Sequence, residues 1–304
     1  MVRVTKIIMP ELPEVESLRR SLEPYIVGQV IKSVQVFKSK LVSDKGTKRT
    51  ENLAKVQNFI TGLTGQKILS LTRVSKNIII TMESGAIMLV HLKMTGQLVY
   101  QPKVGDTVFG GHPIESLELP SKHSHIIFEL DDGVLYFNDT RMFGYVLYYP
   151  DYGTMQLDHD WSKLGQDPAQ GSFDAKQFVE DFGKLSGIVK KNFLDGRGVV
   201  GLGNIYADEV CFDAGITPMR TNKSLTQLEL KKIVKSINKI IPLAIEQGGS
   251  SIANYLLADG SRGNYAHYHK VYNRGGKPCL VCQRDLKSIK LAGRTTVFCL
   301  KCQG

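Results

Sequence analysis

Apolar residues recur along the chain at two different periods, and the change falls near Tyr149. Before it, short runs rich in Val, Ile, Leu and aromatics occur at Val30–Phe37, Ile78–Met82, Ala86–Met94, Ser124–Leu130, Val134–Phe137 and Tyr145–Tyr149. Gly85, Gly96, Asp131-Asp132-Gly133 and Gly144 separate several of them. Short strands broken by turn residues at close spacing predict an antiparallel sandwich or barrel. One helix is expected ahead of them, with Val15, Leu18 and Leu22 as its apolar stripe. Pro13 suits the first helical position, Glu11, Glu14 and Glu16 suit the positive N-terminal end, and Gly28 closes the segment.

After Tyr149 the pattern changes. Tyr152–Pro168 reads as a linker, and from Ala175 to Leu257 the period is helical. Gln227–Gln247 is the clearest helix, with Leu230, Ile233, Val234, Ile237, Ile240, Ile241, Leu243 and Ala244 on one face and Pro242 expected to bend it. Residues 248–270, with Gly248, Gly249, Gly260 and Gly263, read as a loop. The fold class expected is α+β. An N-terminal β-sandwich with flanking helices spans 1–150, a connecting stretch 151–174, a helical domain 175–270, and a small C-terminal hairpin 271–304.

A length of 304 residues agrees with more than one domain. No run of about 18 apolar residues is present, so no transmembrane helix is expected. The first nine residues lack the long apolar stretch of a secretory signal, and a cytoplasmic protein with no membrane partner is the expectation. The formal net charge of +10 favours an anionic partner. The excess is uneven, because residues 261–304 hold nine Lys and Arg against Asp285 alone, a net +8. The same segment carries Cys279, Cys282, Cys299 and Cys302, two C-x2-C pairs sixteen residues apart. Two such pairs each supply two thiolates to one tetrahedral zinc, so a single structural Zn2+ is expected, held in a zinc ribbon. Cys211 stands alone and reads as a small core residue.

Four further segments carry candidate chemistry. The run from Gly196 to Gly203 is glycine-rich, but no buried strand precedes it and no Gly-Lys-Ser/Thr follows, so a dinucleotide fingerprint is a poor reading. A tight turn between helices fits better, with Asn204 near the start of the next helix. Its backbone N–H groups either meet a phosphate or serve a plain turn. Met94, Arg141 and Phe143 lie near strand ends, and Met94 and Phe143, each close to a glycine, are either core residues or loop tips. Gly293-Arg294 lies between the cysteine pairs, where a guanidinium meets either phosphate or solvent. Met9-Pro10-Glu11-Leu12-Pro13-Glu14, taken bare, starts an N-terminal helix.

Together these segments resemble the bacterial formamidopyrimidine-DNA glycosylase and endonuclease VIII family of DNA repair enzymes. The likeness runs from Met9 to Gln303 through Met-Pro-Glu-Leu-Pro-Glu-Val-Glu, His-Leu-x-Met, Asp-x-Arg-x-Phe-Gly, Gly-x-Gly-Asn-Ile-Tyr-Ala-Asp-Glu and Gly-Arg-Thr-Thr-x-Phe-Cys-x-x-Cys-Gln. Leu12 and a long 248–270 loop favour the formamidopyrimidine branch. The resemblance implies a helix–two-turn–helix in the helical domain and a zinc-ribbon β-hairpin at the C-terminus. It implies a monomeric glycosylase and AP lyase that removes oxidised purines from double-stranded DNA. Pro10 is then the nucleophile, Glu11 the proton donor and acceptor, and Lys76 a lysine that contacts phosphate and assists cleavage. Met94, Arg141 and Phe143 become the residues that fill the gap left by the extruded base, Arg141 pairing with the orphaned base. Lys190, Asn204 and Arg294 become phosphate clamps. The loop over 248–270 covers the extruded base. The working chain is expected to begin at Pro10, so that its amine is free. The sequence departs from the family pattern at Lys93, Ser124, Lys191 and Asn264, the last bearing on purine over pyrimidine preference. A duplex-binding protein without catalysis is the reading from another class.

Overall fold

A computed structural model describes residues 9–46, 48–111, 118–170, 173–250 and 263–304. Its contacts divide the chain into two compact units. The first holds the chain up to Pro10, Glu14–Asp160 and Gly248–Asn264; the second holds Glu11–Pro13, Trp161–Gln247 and Tyr265–Gly304. Residues 251–262 of the expected 248–270 loop lie outside the described residues.

Helix α1 (Leu12–Ile26), which from Glu14 onward belongs to the first unit, buries Val15, Leu18 and Leu22 as the stripe predicts. Further elements of that unit are β1 (Ile31–Val36), α2 (Lys40–Ser43), α3 (Leu53–Leu63), β2 (Ile68–Val74), β3 (Asn77–Met82) and β4 (Ile87–His91). After these come β5 (Gly96–Pro102), β6 (Val108–Gly111), β7 (Ser124–Leu130), β8 (Gly133–Asp139), β9 (Tyr145–Tyr149) and α4 (Tyr152–Asp158). The strands form two antiparallel sheets, ordered β1-β7-β8-β5-β6 and β2-β3-β4-β9. Alternate residues meet in one core: Ile78, Ile80, Met88 and Val90 from one sheet, Leu98, Ile126, Phe128 and Phe137 from the other. The sandwich is therefore present, and its flanking helices α1 and α3 add Leu18, Leu22, Phe59 and Leu63 to the same core.

Two expectations are corrected. The run Ala86–Met94 does not continue as strand past His91, because Leu92 accepts a hydrogen bond from Gly96 N (2.9 Å) and Lys93 adopts φ 51°. A turn therefore lifts Lys93, Met94 and Thr95 out of the sheet. The expected linker contains a helix, α4, because Asp151 accepts from Thr154 N (2.7 Å) at its start and Met155 is fully buried.

The second unit contains α5 (Ala175–Lys184), α6 (Val189–Leu194), α7 (Asn204–Ala214), α8 (Gln227–Glu246) and the hairpin β10 (Lys287–Leu291) and β11 (Arg294–Phe298). Thr226 and Glu229 form a reciprocal capping box at the start of α8, and Pro242 sits inside that helix. Among the described residues no helix is long and apolar enough to cross a membrane.

Inside the first unit, Glu16 is buried and accepts hydrogen bonds from Arg19 (3.0 Å), Arg20 (2.8 Å) and Arg73 (2.9 Å). Burial alone raises a carboxyl pKa, but the three guanidiniums outweigh it and hold Glu16 at about 2. A depressed carboxyl pKa stabilises the fold above the unfolded value of 4.5 and loses that contribution as pH falls through about 2. Urea unfolding at stepped pH should lose about 3 kcal/mol across that window. Glu16→Gln should lack this acid-dependent step and be weaker by a similar amount at neutral pH, because buried Arg73 loses its partner.

Candidate nucleic-acid site and metal centre

In the first unit the structure brings Met94, Arg141 and Phe143 together. The Arg141 guanidinium lies 4.4 Å from the Phe143 ring centre and Nη1 donates to Met94 Sδ at 3.6 Å. Arg141 is exposed and the other two are half-buried, so all three are loop tips and not core. Lys76 occupies the two-residue turn between β2 and β3, next to Ser75 at φ 55°. Arg73 Nη1 donates to Ser75 O at 2.8 Å, which ties that turn to the buried Glu16 pair.

Behind these tips lies a basic cluster that sequence reasoning did not single out as a site. Lys93 Nζ is 5.5 Å and Arg49 Cζ 6.0 Å from the Tyr145 ring centre, and His91 packs on the same ring at 5.3 Å. Burial, Lys93 and Lys76 push His91 down to about 3, so its imidazole is neutral at pH 7. Burial, then Arg49 and Lys76, lower Lys93. Like charges gathered in this way favour a bound anion. Arg49 comes from the chain between α2 and α3, 96 residues before Tyr145, and no short motif signals that meeting.

In the second unit Glu11 is buried against the N-terminus of α7. Its carboxylate accepts from Gly203 N (2.7 Å), Ile205 N (2.9 Å) and Tyr206 N (3.2 Å), while Leu12 N donates to Gly201 O (3.0 Å). This settles the glycine-rich run. A Cβ at Gly203 would collide with the Glu11 carboxylate, and one at Gly201, already at φ 81°, with Leu12. The orphan N–H groups of the helix serve a carboxylate of the chain itself.

The same helix fixes the C-terminal hairpin. Asn204 Nδ2 donates to Thr295 O (3.0 Å), and Asp208 Oδ2 accepts from Val297 N (3.0 Å). Glu209 accepts from the backbone N–H groups of Lys270, Val271 and Tyr272 at 2.8–3.1 Å. Arg294 is exposed and follows the two-residue turn Ala292-Gly293 at the hairpin tip. Lys190 requires a correction. It is fully buried and its Nζ donates to Asp208 Oδ1 at 2.6 Å, so it is not a phosphate clamp. A lysine beside a turn gives no sign from sequence that its acid lies 18 residues further on.

The four C-terminal cysteines converge, each sulfur within 4.8 Å of the others. The pairs Cys282–Cys299 and Cys279–Cys302 are 3.4 and 3.9 Å apart. Tetrahedral zinc with Zn–S bonds of about 2.3 Å sets sulfurs roughly 3.8 Å apart, so the set fits one structural zinc. Cys211 is fully buried, and burial raises its thiol pKa.

Three protein-family descriptions match the chain in order. The formamidopyrimidine-DNA glycosylase N-terminal domain covers residues 9–146, the H2TH domain of the same enzymes 164–255, and a zinc finger found in FPG and IleRS 276–304. A formamidopyrimidine-DNA glycosylase of Desulfitobacterium hafniense is 35% identical over 97% of this chain and 100% of its own. One from Idiomarina loihiensis is 36% identical with the same coverage. Among solved structures, Lactococcus lactis Fpg in complex with abasic-site DNA superposes with a TM-score of 0.80 at 32% identity, covering 96% of this chain and 99% of that one. The MutM (FPG) protein of Thermus thermophilus gives a TM-score of 0.78 at 30% identity, over 97% and 98%.

Two outcomes are expected from this geometry. Chelation, or Cys279→Ser, should release one zinc per chain, unfold the hairpin and weaken duplex binding, read by metal assay and circular dichroism. Lys190→Met should cost about 3–5 kcal/mol of stability by leaving Asp208 buried and unpaired. It should leave the salt dependence of duplex binding unchanged, whereas loss of a real phosphate contact reduces that slope by about one.

Proposed function

Because the chain belongs to the formamidopyrimidine-DNA glycosylase family of DNA repair enzymes, we propose that it excises oxidised purines from duplex DNA and cleaves the abasic site it creates. The observation that carries this reading is the single cluster of Met94, Arg141 and Phe143 at an exposed pair of loop tips. Extruding a base costs a few kcal/mol of stacking and pairing, and a wedge offsets that loss. Here Met94 and Phe143 supply apolar surface, and Arg141 supplies donors for the unpaired base on the other strand. The basic residues around Tyr145, with Lys76 and Arg294, are suited to the flanking phosphates.

The chemistry follows from a secondary amine at Pro10. An α-amine with pKa about 8 has a usable neutral fraction at pH 7. Its lone pair attacks C1′ of the deoxyribose as the C1′–N bond to the base breaks, and the base leaves with a proton. Opening of the sugar ring gives an iminium. This cation withdraws electrons from C2′, so loss of a C2′ proton expels the 3′ phosphate, and a second elimination expels the 5′ phosphate. Glu11, next to Pro10 in the chain, is the proton donor and acceptor for ring opening. The three N–H groups of α7 fix where its carboxylate points. Zinc has no part in these steps; it holds the hairpin that carries Arg294.

The reaction needs an amine at Pro10 that is not acylated by a preceding residue. A protein beginning at Pro10 should give a covalent adduct with abasic DNA on borohydride reduction, and should release 8-oxoguanine faster than an oxidised pyrimidine from matched duplexes. Glu11→Gln should lower excision by about 10²–10⁴-fold. Absence of any adduct from the Pro10-started chain would leave a duplex-binding protein without catalysis, and a reversed lesion order would move the substrate to oxidised pyrimidines.

A further inference from the structure

Asp139 ends β8 and is fully buried, and its carboxylate is shared between two loops. Oδ1 accepts from Arg141 N at 3.1 Å and from the Thr95 hydroxyl, and Oδ2 accepts from Gly144 N at 2.7 Å. Thr95 Oγ1 lies 3.3 Å from Arg141 N as well, closing a small ring of contacts between the loops. Thr95 follows Met94 directly, and Arg141 N and Gly144 N bracket Phe143. One carboxylate therefore sits at the root of all three tip residues.

Arg49 holds the second loop from its other side. Its Nη1 donates to Gly144 O and its Nη2 to Met142 O, both at 2.6 Å, and Met142 is held at φ 54°. Behind Asp139, His125 Nε2 bonds the Asp139 carbonyl at 2.8 Å. The Met94 loop and the Arg141–Phe143 loop belong to different stretches of chain, and in the first unit they are joined through this buried network. Without the carboxylate, two backbone N–H groups and a hydroxyl lose an acceptor, and the loops lose their common anchor.

We propose that Asp139 is a positioning residue, braced by Arg49, that sets the spacing of the Met94 tip and the Arg141–Phe143 tip so that the three side chains enter a duplex as one rigid wedge. This rests on the glycosylase reading above. Asp139 touches neither the sugar nor the base in that reading, so its influence falls on opening the base pair and not on the bond-breaking steps. A wedge misplaced by about 1 Å costs on the order of 10²-fold in the step it serves.

The test separates the two steps. Asp139→Asn keeps the side-chain shape but replaces one acceptor oxygen with a donor. Thr95→Val removes a hydroxyl that links the loops and serves as the milder variant if the first fails to fold, as judged by thermal melting. For each, single-turnover excision of 8-oxoguanine from a paired duplex is compared with borohydride trapping on a single-stranded oligonucleotide that already contains an abasic site. The expected result is excision slowed about 10- to 100-fold, trapping unchanged within about two-fold, and partial rescue when the lesion faces a mismatched base. Equal loss of both activities, or no loss of either, in a folded variant would overturn the proposal. If the parent protein itself gives no adduct, the glycosylase reading fails first.

Discussion

The carboxylate of Glu11 on the N-terminus of α7 is the constraint from which the second unit is built. Three backbone N–H groups bind it at 2.7–3.2 Å, and each would otherwise be an orphan donor in a buried place. The contact imposes glycine at 203, because the carboxylate lies where a side chain would stand. It also fixes the chain direction immediately after Pro10, since Leu12 N is bound to Gly201 O one step later. Glu11, a residue proposed for chemistry, is thus held by backbone donors on its carboxylate and by a backbone bond at the next residue.

The helix that receives Glu11 then passes the constraint onward. Nearly every residue of α7 is buried, including Asp208 and Glu209, and a helix buried on all sides cannot leave its polar groups to water. Each finds backbone in a different segment. Asn204 and Asp208, one helical turn apart, reach Thr295 and Val297, two residues apart on one strand. One turn of helix rises about 5.4 Å and two strand residues about 6.6 Å, so the two ladders match within side-chain reach. Glu209 takes the three N–H groups that lead into the hairpin. Zinc closes the hairpin at its far end, and Lys190 supplies the counter-charge that lets Asp208 remain inside. The exposed Arg294 is therefore placed by buried groups.

What the sequence discloses depends on whether a residue's neighbours in space are also its neighbours in the chain. Ser124–Leu130 and Tyr145–Tyr149 are legible to the residue because they are buried along most of their length and carry few polar interruptions. The cysteine pairs are legible because metal geometry fixes their local spacing. Strand β2 is hidden by Ser70, Thr72 and Arg73, and Arg73 is tolerated there only because Glu16, 57 residues away, meets it inside the core. Helix α3 is hidden because only Phe59 and Leu63 of its eleven residues are fully buried. Met94, Arg141 and Phe143 are recognisable as motif residues, but their shared root at Asp139, and the brace from Arg49, exist only after folding. Lys190 is the converse case, since a motif position suggests contact with phosphate where a long-range partner makes the residue structural.

The distribution of charge carries the same lesson further. Residues 261–304 hold a net +8, and residues 10–260 sum to zero, so composition assigns the attraction for an anion to the C-terminal segment alone. The folded first unit adds a local gathering of cations that this sum does not show. Arg49, His91 and Lys93 surround the single ring of Tyr145, with Lys76 near enough to act on both His91 and Lys93. Coulomb energy depends on distance and on the local dielectric, not on the sum over a domain, so a local cluster of half-buried cations is invisible to a net charge of zero. The π-face of Tyr145 offsets part of their mutual repulsion, and Arg49 also donates to the carbonyls of Gly144 and Met142. Burial and the neighbouring cations keep His91 neutral, so its ring adds no charge, while the carboxylates of Asp139 and Asp44 act on Arg49. A stretch of chain with no net charge thus carries a local cluster of cations, next in space to the loop that holds Arg141 and Phe143.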